Sequence, residues 1–197
     1  NEMCAQCVED LIADKILADG PRGVAHTLSN AGSNGNRDGR LPLYNENNNS
    51  SLLKWMGRED QTLINYSKTY AFGAYLMRKY GGSLLIRELI QNDNTGVNSI
   101  VKAVNANGGG VDSYATILQQ FGVANLLSDR TNNPVGYKFN TARWNNSTSN
   151  GTTYKLGSIN LFNFAPQPQI FTSLPYSQQA GSNLYYRAGI NLSNNHE

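Results

Sequence analysis

Residues Asn1 to Leu17 read NEMCAQCVEDLIADKIL. Apolar residues recur in pairs four apart, Met3/Cys4, Cys7/Val8 and Leu11/Ile12, with Ile16 beyond. That is the pattern of an amphipathic helix with one broad stripe turned to a core. At about 100° per residue, Glu2, Gln6 and Glu9 share a second face beside the stripe. Glu2 therefore leaves the first turn of a helix that must itself be buried. An unpaired buried carboxylate is costly. Two readings of Glu2 stand: an acid favoured by the positive end of the helix dipole, or a ligand to a metal.

Outward from this helix, Gly20-Pro21 stops it. Residues 21 to 51, rich in Asn, Gly and Ser, read as a long surface loop of the kind that forms functional rims. Leu52, Leu53, Trp55 and Met56 restore apolar weight and are expected to anchor the far end of that loop. Gln61 to Tyr80, QTLINYSKTYAFGAYLMRKY, is the second strong helix, closed by Gly81-Gly82. Ala71, Gly73 and Ala74 at its centre let another backbone approach closely, while Tyr66, Tyr70, Leu76, Met77 and Tyr80 supply bulk. Ser83 is placed to cap a third helix through LLIRELIQND. Thr95 or Asn98 starts a fourth, which ends at Gly108-Gly109-Gly110, and Asp112 is placed to cap a fifth, SYATILQQFGVANLL.

From Asn132 the texture changes. GYKFNTA, TTYKLGSINLFNF, QIFTSL and NLYYRAGINL carry β-branched and aromatic residues between Asn, Gly and Pro breaks. Asn150-Gly151 lies between two such runs and suits a hairpin turn. The expected fold class is α+β: a mainly helical part over residues 1–131, then a small antiparallel β subdomain over 132–197.

The 197 residues carry 16 basic and 14 acidic side chains with no basic run, which argues against nucleic acid as a partner. No stretch approaches the ~20 apolar residues of a transmembrane segment, and no signal-peptide pattern is present. Only 15% of residues are charged, while Asn, Ser, Gly and Tyr are plentiful. A polar but weakly charged surface suits an exported bacterial protein. Asn1-Glu2 opens almost directly into a helix without an initiator Met, so the chain is expected to start inside a larger protein.

Cys4 and Cys7 form a C-x-x-C, but with no strand before it and within the apolar stripe, so they read as two small buried thiols. Zinc held by these sulfurs needs a second pair that the chain lacks. His26 is isolated, and His196-Glu197 lie at the C-terminal end. The chain contains no H-E-x-x-H and no phosphate-binding loop. The triple glycine follows a helix rather than a strand. No complete catalytic constellation is visible within the chain itself.

Two stretches taken together go further. NEMCAQCVEDL resembles the segment of gluzincin metallopeptidases that supplies the third zinc ligand, and its form is similar to the hyicolysin-like branch. NYSKTYAFGAYLMRKYGGSLLIREL resembles the Tyr-x-Lys-Gly helix of aminopeptidase-type gluzincins, with Tyr66, Lys68 and Gly81-Gly82 in register. ATILQQFGVANLLSD resembles the C-terminal helical segment of the same proteins. The likeness covers residues 1 to about 130, and the separation from Glu2 to Tyr66 is also similar to the family's. Two positions depart from the pattern: Gln6 stands where an acid or small polar residue often supports a zinc-bound His, and Thr69 stands for the Gly.

The resemblance implies that the chain is part of an exported, extracellular or cell-envelope zinc metalloendopeptidase. Its H-E-x-x-H segment would lie upstream and act as partner, and its substrate would be a peptide or protein. Glu2 would be the third zinc ligand and Tyr66 the donor to the developing oxyanion, with Tyr70 the alternative one turn on. The fragment alone would be inactive and hold zinc weakly. A reading from a different class is a non-catalytic extracellular binding or scaffold module. Its contacts would come from the Asn-rich loop and from Tyr137, Tyr154, Tyr176, Tyr185 and Tyr186.

Overall fold

The computed structural model describes residues 2–16, 40–127, 147–149, 152–154, 168–173 and 178–187. Six α-helices follow in chain order: α1 (Glu2–Ile16), α2 (Arg40–Glu46), α3 (Thr62–Lys79), α4 (Ser83–Gln91), α5 (Gly96–Ala106) and α6 (Tyr114–Leu127). A 3-10 turn, Glu59–Gln61, leads into α3.

The axis of the fold is α3, not the first helix. Asn65, Ser67, Lys68 and the unbroken run Tyr70–Arg78 are buried. A helix covered on every side lies inside a core rather than upon it. Helices α1, α2 and α4 all pack on it. The small residues at its centre are what admit α1. A Cβ built on Gly73 would fall 2.6 Å from Cys7 Sγ and 3.3 Å from Met3 Cγ, closer than such atoms pack. The helix ends where two glycines take positive φ, +96° at Gly81 and +63° at Gly82. There the Gly82 N–H donates to the Met77 carbonyl at 2.8 Å, the closing bond of a Schellman motif.

The first helix is rolled relative to its expected stripe. Cys7 and Gln6 are buried, while Val8 is 37% exposed. Glu2 is exposed on the first turn, so no buried charge has to be explained there. Both cysteines are free thiols, Cys7 buried and Cys4 half-buried. Arg40 Nη2 reaches Glu9 Oε1 at 3.0 Å and ties α1 to α2.

Several local expectations are corrected. Part of the expected loop over residues 21 to 51 is α2, whose Leu41 and Tyr44 sit one turn apart and are both buried. Pro42 is tolerated because it lies in the first turn, where no helical bond to its nitrogen is needed. Residues 21–39 of that loop lie outside the described residues. Ser83 is the first residue of α4 rather than its cap, a place taken by Gly82. At α6 the cap is Ser113, whose Oγ accepts the Thr116 N–H at 3.3 Å. Asp112 instead accepts hydrogen bonds from the Thr116 and Ser113 hydroxyls.

The expected antiparallel β subdomain over 132–197 is not formed among the described residues, and the described fold is helical rather than α+β. Pairing there amounts to one ladder of three residues a strand, β1 (Ser147–Ser149) against β2 (Thr152–Tyr154), and one parallel bridge, Phe171 to Tyr186. Two such strands fall short of an independently stable sheet. The Asn, Gly and Pro breaks keep the β-forming runs short. The described residues beyond 167 bind to the helices and their loops instead. Leu52 N–H donates to Gly181 O at 2.9 Å, and Asn48 pairs both backbone groups of Gln169. The expected division at 131/132 lies outside the described residues.

Aromatic packing closes the centre. The Phe121 ring of α6 meets Phe72 at 5.2 Å, Tyr75 at 5.3 Å and Tyr44 at 6.1 Å between centroids. Beneath it Asn125 Nδ2 donates to Tyr44 Oη at 2.9 Å and Tyr185 Oη at 3.3 Å, and Tyr185 Oη donates to Gly122 O at 3.2 Å. Burial pushes both phenols up, Tyr185 to about 12.

Candidate functional site

The residues singled out by sequence fall around the α1–α3 contact and the segment that leads into α3. Glu2 stands exposed on the first turn of α1 and makes no hydrogen bond or ion pair with any described residue. Four residues on, Gln6 is 5% exposed, and its buried Oε1 has no hydrogen-bond partner. An acceptor left in that state costs about 1–3 kcal/mol. Next along α1, Met3 and Cys7 meet α3 at Gly73. Gly73 lies two turns beyond Tyr66, about 10 Å at the helical rise.

Tyr66 is held from two sides. Its ring meets Trp55 edge-on at 5.7 Å, and the Arg40 guanidinium lies 5.1 Å from its centroid. Such a cation–π contact contributes roughly 0.5–1 kcal/mol at a partly exposed site. The Tyr66 hydroxyl forms no hydrogen bond with any described residue. Tyr70 differs: it is 2% exposed, lies within the core and is engaged there. No hydrogen bond or ion pair joins Glu2 to Tyr66 among the described residues. What the structure brings to Tyr66 is Trp55, Arg40 and, through Arg40, Glu9.

The segment before α3 owes its shape to two buried polar side chains of that helix. Lys68 is 1% exposed and donates from Nζ to the Lys54 carbonyl at 2.5 Å; burial lowers its pKa. Asn65, fully buried, accepts the Met56 N–H at 3.0 Å and donates to the Met56 carbonyl at 2.8 Å. Two anchors of this stretch are therefore polar, while Leu52, expected as an apolar anchor, does pack against the core. Leu53 and Trp55, expected to bury, are 53% and 46% exposed. Sequence reasoning missed Asn65 because one Asn among many carries no periodic signal. Thr69 turns its hydroxyl back onto the Asn65 carbonyl at 2.9 Å.

Beside this stretch opens a cavity of about 680 Å³. Its walls include Met3, Leu53, Phe72, Leu89, Ile100 and Tyr114, drawn from α1, α3, α4, α5, the start of α6 and the segment before α3. Thr69 also lines it, one turn from Tyr66.

No family model matches the chain, and no curated protein matches it significantly.

Among the described residues no group of three or more His, Cys, Asp or Glu is placed to hold a metal. His26, His196 and Glu197 lie outside them. Glu2 offers one carboxylate, and a tetrahedral zinc site takes four donors. The described residues do not by themselves fit a zinc centre. The triple glycine is likewise no phosphate cradle: Asn105 brackets that loop, bonding both backbone groups of Val111 at 2.8 Å. No described helix is long and apolar enough to cross a membrane.

Of the tyrosines proposed as a binding surface, Tyr185 is buried and bonded, so it serves as an anchor of the fold. Tyr186 is 37% exposed. Tyr137 and Tyr176 lie outside the described residues, as does the Tyr154 side chain.

Proposed function

We propose that the chain is part of an exported zinc-dependent metalloendopeptidase of the gluzincin, hyicolysin-like group, and that its H-E-x-x-H segment lies upstream. Tyr66 carries the reading. Its ring is fixed by Trp55 and Arg40 while its hydroxyl is unbonded to any described residue. A buried tyrosine serving only to pack has its hydroxyl satisfied locally, as Tyr185 does, whereas the half-buried Tyr66 leaves its hydroxyl open to solvent or a ligand. A fixed ring with a free hydroxyl is preorganised to donate to charge that develops elsewhere, which is where such donors act most strongly. Burial sets Tyr70 aside as the donor.

Glu2 supports the same reading. Its carboxylate is exposed, unengaged by the described residues and held on a helix seated against α3. The unpaired Gln6 Oε1, one turn on along the same helix, is an acceptor that a donor from the upstream segment would satisfy. The remaining zinc donors and the general base belong to that segment. By itself the 197-residue chain holds zinc weakly, and tight one-to-one binding in a titration would contradict this.

The test at Tyr66 uses the full-length protein. Tyr66→Phe lowers kcat by about 100-fold or more with little change in KM, as expected for an interaction made only in the transition state. An unchanged kcat would return Tyr66 to packing.

A further inference from the structure

The C-x-x-C of α1 takes no part in the peptidase reading. Cys4 is half-buried and Cys7 fully buried, and both are thiols rather than halves of a disulfide. Met3 adds a third sulfur. At about 100° per residue, Met3, Cys7 and Cys4 fall in that order within one arc of about 100° on the helix. The packing keeps this arc together. Met3 Cγ and Cys7 Sγ both reach the point that a Cβ on Gly73 would occupy, at 3.3 and 2.6 Å. Met3 and Cys4, the two flanks of the arc, both line the 680 Å³ cavity, among Phe72, Leu89 and Ile100. Cys7 lies between those flanks and one turn deeper, fully covered.

The donor set states which ion it suits. Helix neighbours three and four apart have Cβ atoms about 5–6 Å from one another. A metal–sulfur bond is about 2.3 Å, so one ion spans sulfurs roughly 4–4.6 Å apart. Side chains at this spacing meet that span. Zinc takes four donors, and no described His, Asp or Glu makes up a metal-holding group with the two thiols. Calcium and magnesium take oxygen. Two thiolates and a thioether select a soft univalent ion, Cu(I), which is satisfied by two or three sulfurs.

Binding displaces one proton from each thiol. Two thiolates around Cu(I) leave one net negative charge, and the first turns of α1 place it at the positive end of the helix dipole. The apolar cavity wall keeps competing oxygen donors away. Cys7 is reached through the first turn, the part of a helix that opens most easily.

We propose that Met3, Cys4 and Cys7 form a three-sulfur Cu(I) site at the start of α1. It goes beyond the peptidase reading and uses neither Glu2 nor Tyr66.

The experiment titrates the reduced 197-residue chain, without oxygen, into the Cu(I) complex of bicinchoninate. One equivalent of copper should leave the chelator, and X-ray absorption at the copper edge should show a coordination shell of sulfur alone. Bound copper should shield Cys4 from iodoacetamide, which alkylates it otherwise. Cys4→Ser should lose the uptake with helicity unchanged. Met3→Leu conserves volume and should take up copper with one sulfur fewer in the shell.

Copper left on the chelator overturns the proposal, and so does a shell containing nitrogen or oxygen. Equal alkylation of Cys4 with and without copper also overturns it, in a test that needs no variant to fold. Uptake unchanged in Cys4→Ser, or an unchanged shell in Met3→Leu, does the same. None of these outcomes reads zinc or turnover, so failure here and failure of the peptidase reading are distinguishable.

Discussion

Asn65 binds both backbone groups of Met56, so that one buried amide side chain does for that residue what a neighbouring strand would do. Asn48 holds Gln169 in the same way, and Asn105 holds Val111. An amide presents one acceptor and two donors at the spacing of a peptide group. It therefore satisfies the backbone of an irregular segment that has no ladder of its own. The abundance of Asn in this chain thus has a structural use.

Replacing Asn65 by Ala removes two bonds and strands two backbone groups. The expected loss is about 2–3 kcal/mol, measured by urea unfolding. Exchange of the Met56 amide should speed up well before global unfolding.

Helix α1 seats on α3 through the missing side chain of Gly73. Gly73→Ala drives a methyl against Cys7 Sγ and should cost about 1–3 kcal/mol, as overpacking does. Cys7→Ala opens that space, so the double variant should lose less than the sum of the two single changes. Strict additivity in the cycle would contradict the contact.

The helical half was legible because its signals are periodic and local. The Gln61–Tyr80 stretch shows its small centre and its Gly81-Gly82 stop directly. Three features were not legible. Val8 reads as stripe and Gln6 as its border, yet α1 is rolled so that Gln6 is buried. That roll is set by the fit to Gly73, a tertiary fact. Arg40–Glu46 forms a helix inside an Asn-rich stretch because Leu41 and Tyr44 find a core that composition does not announce. The runs beyond Asn132 carry β-forming residues, but β-propensity expresses packing against neighbouring strands. Tyr185 packs on Asn125 and Gly122 instead. At the candidate site, Glu2 and Tyr66 came from motif order, whereas Trp55, Asn65 and Lys68 work through contacts that only the fold reveals.

Stability should peak on the alkaline side and then fall. Burial lowers Lys79 from its ordinary 10.5 to about 8 and lowers Lys68 as well. Between about 8 and 10.5 the unfolded chain therefore binds more protons, and stability rises with pH. Burial raises Tyr44, Tyr80, Tyr114 and Tyr185, the last two to about 12. Their contribution is complete below the ordinary 10.0 and is lost as pH climbs through about 12. Denaturant midpoints across this range, with tyrosinate absorbance, should show unfolding and tyrosine ionisation in one step above pH 10.

Tyr185 fastens the chain's later residues to α6. Tyr185→Phe should cost about 1 kcal/mol for the lost hydroxyl bonds, and Tyr185→Ala roughly 3–5 kcal/mol for the emptied site. Protection of the Phe171 amide, which donates to the Tyr185 carbonyl at 2.8 Å, should fall more in the Ala variant.

The central claim is that Glu2 is a metal ligand within a larger peptidase. The most direct measurement is the zinc content of the full-length protein by elemental analysis, with Glu2 intact and as Glu2→Gln. The account predicts stoichiometric zinc in the first and its loss in the second, at unchanged helicity. Zinc absent from both, or retained equally after the substitution, would contradict it and leave Glu2 an exposed acid at a helix N-terminus.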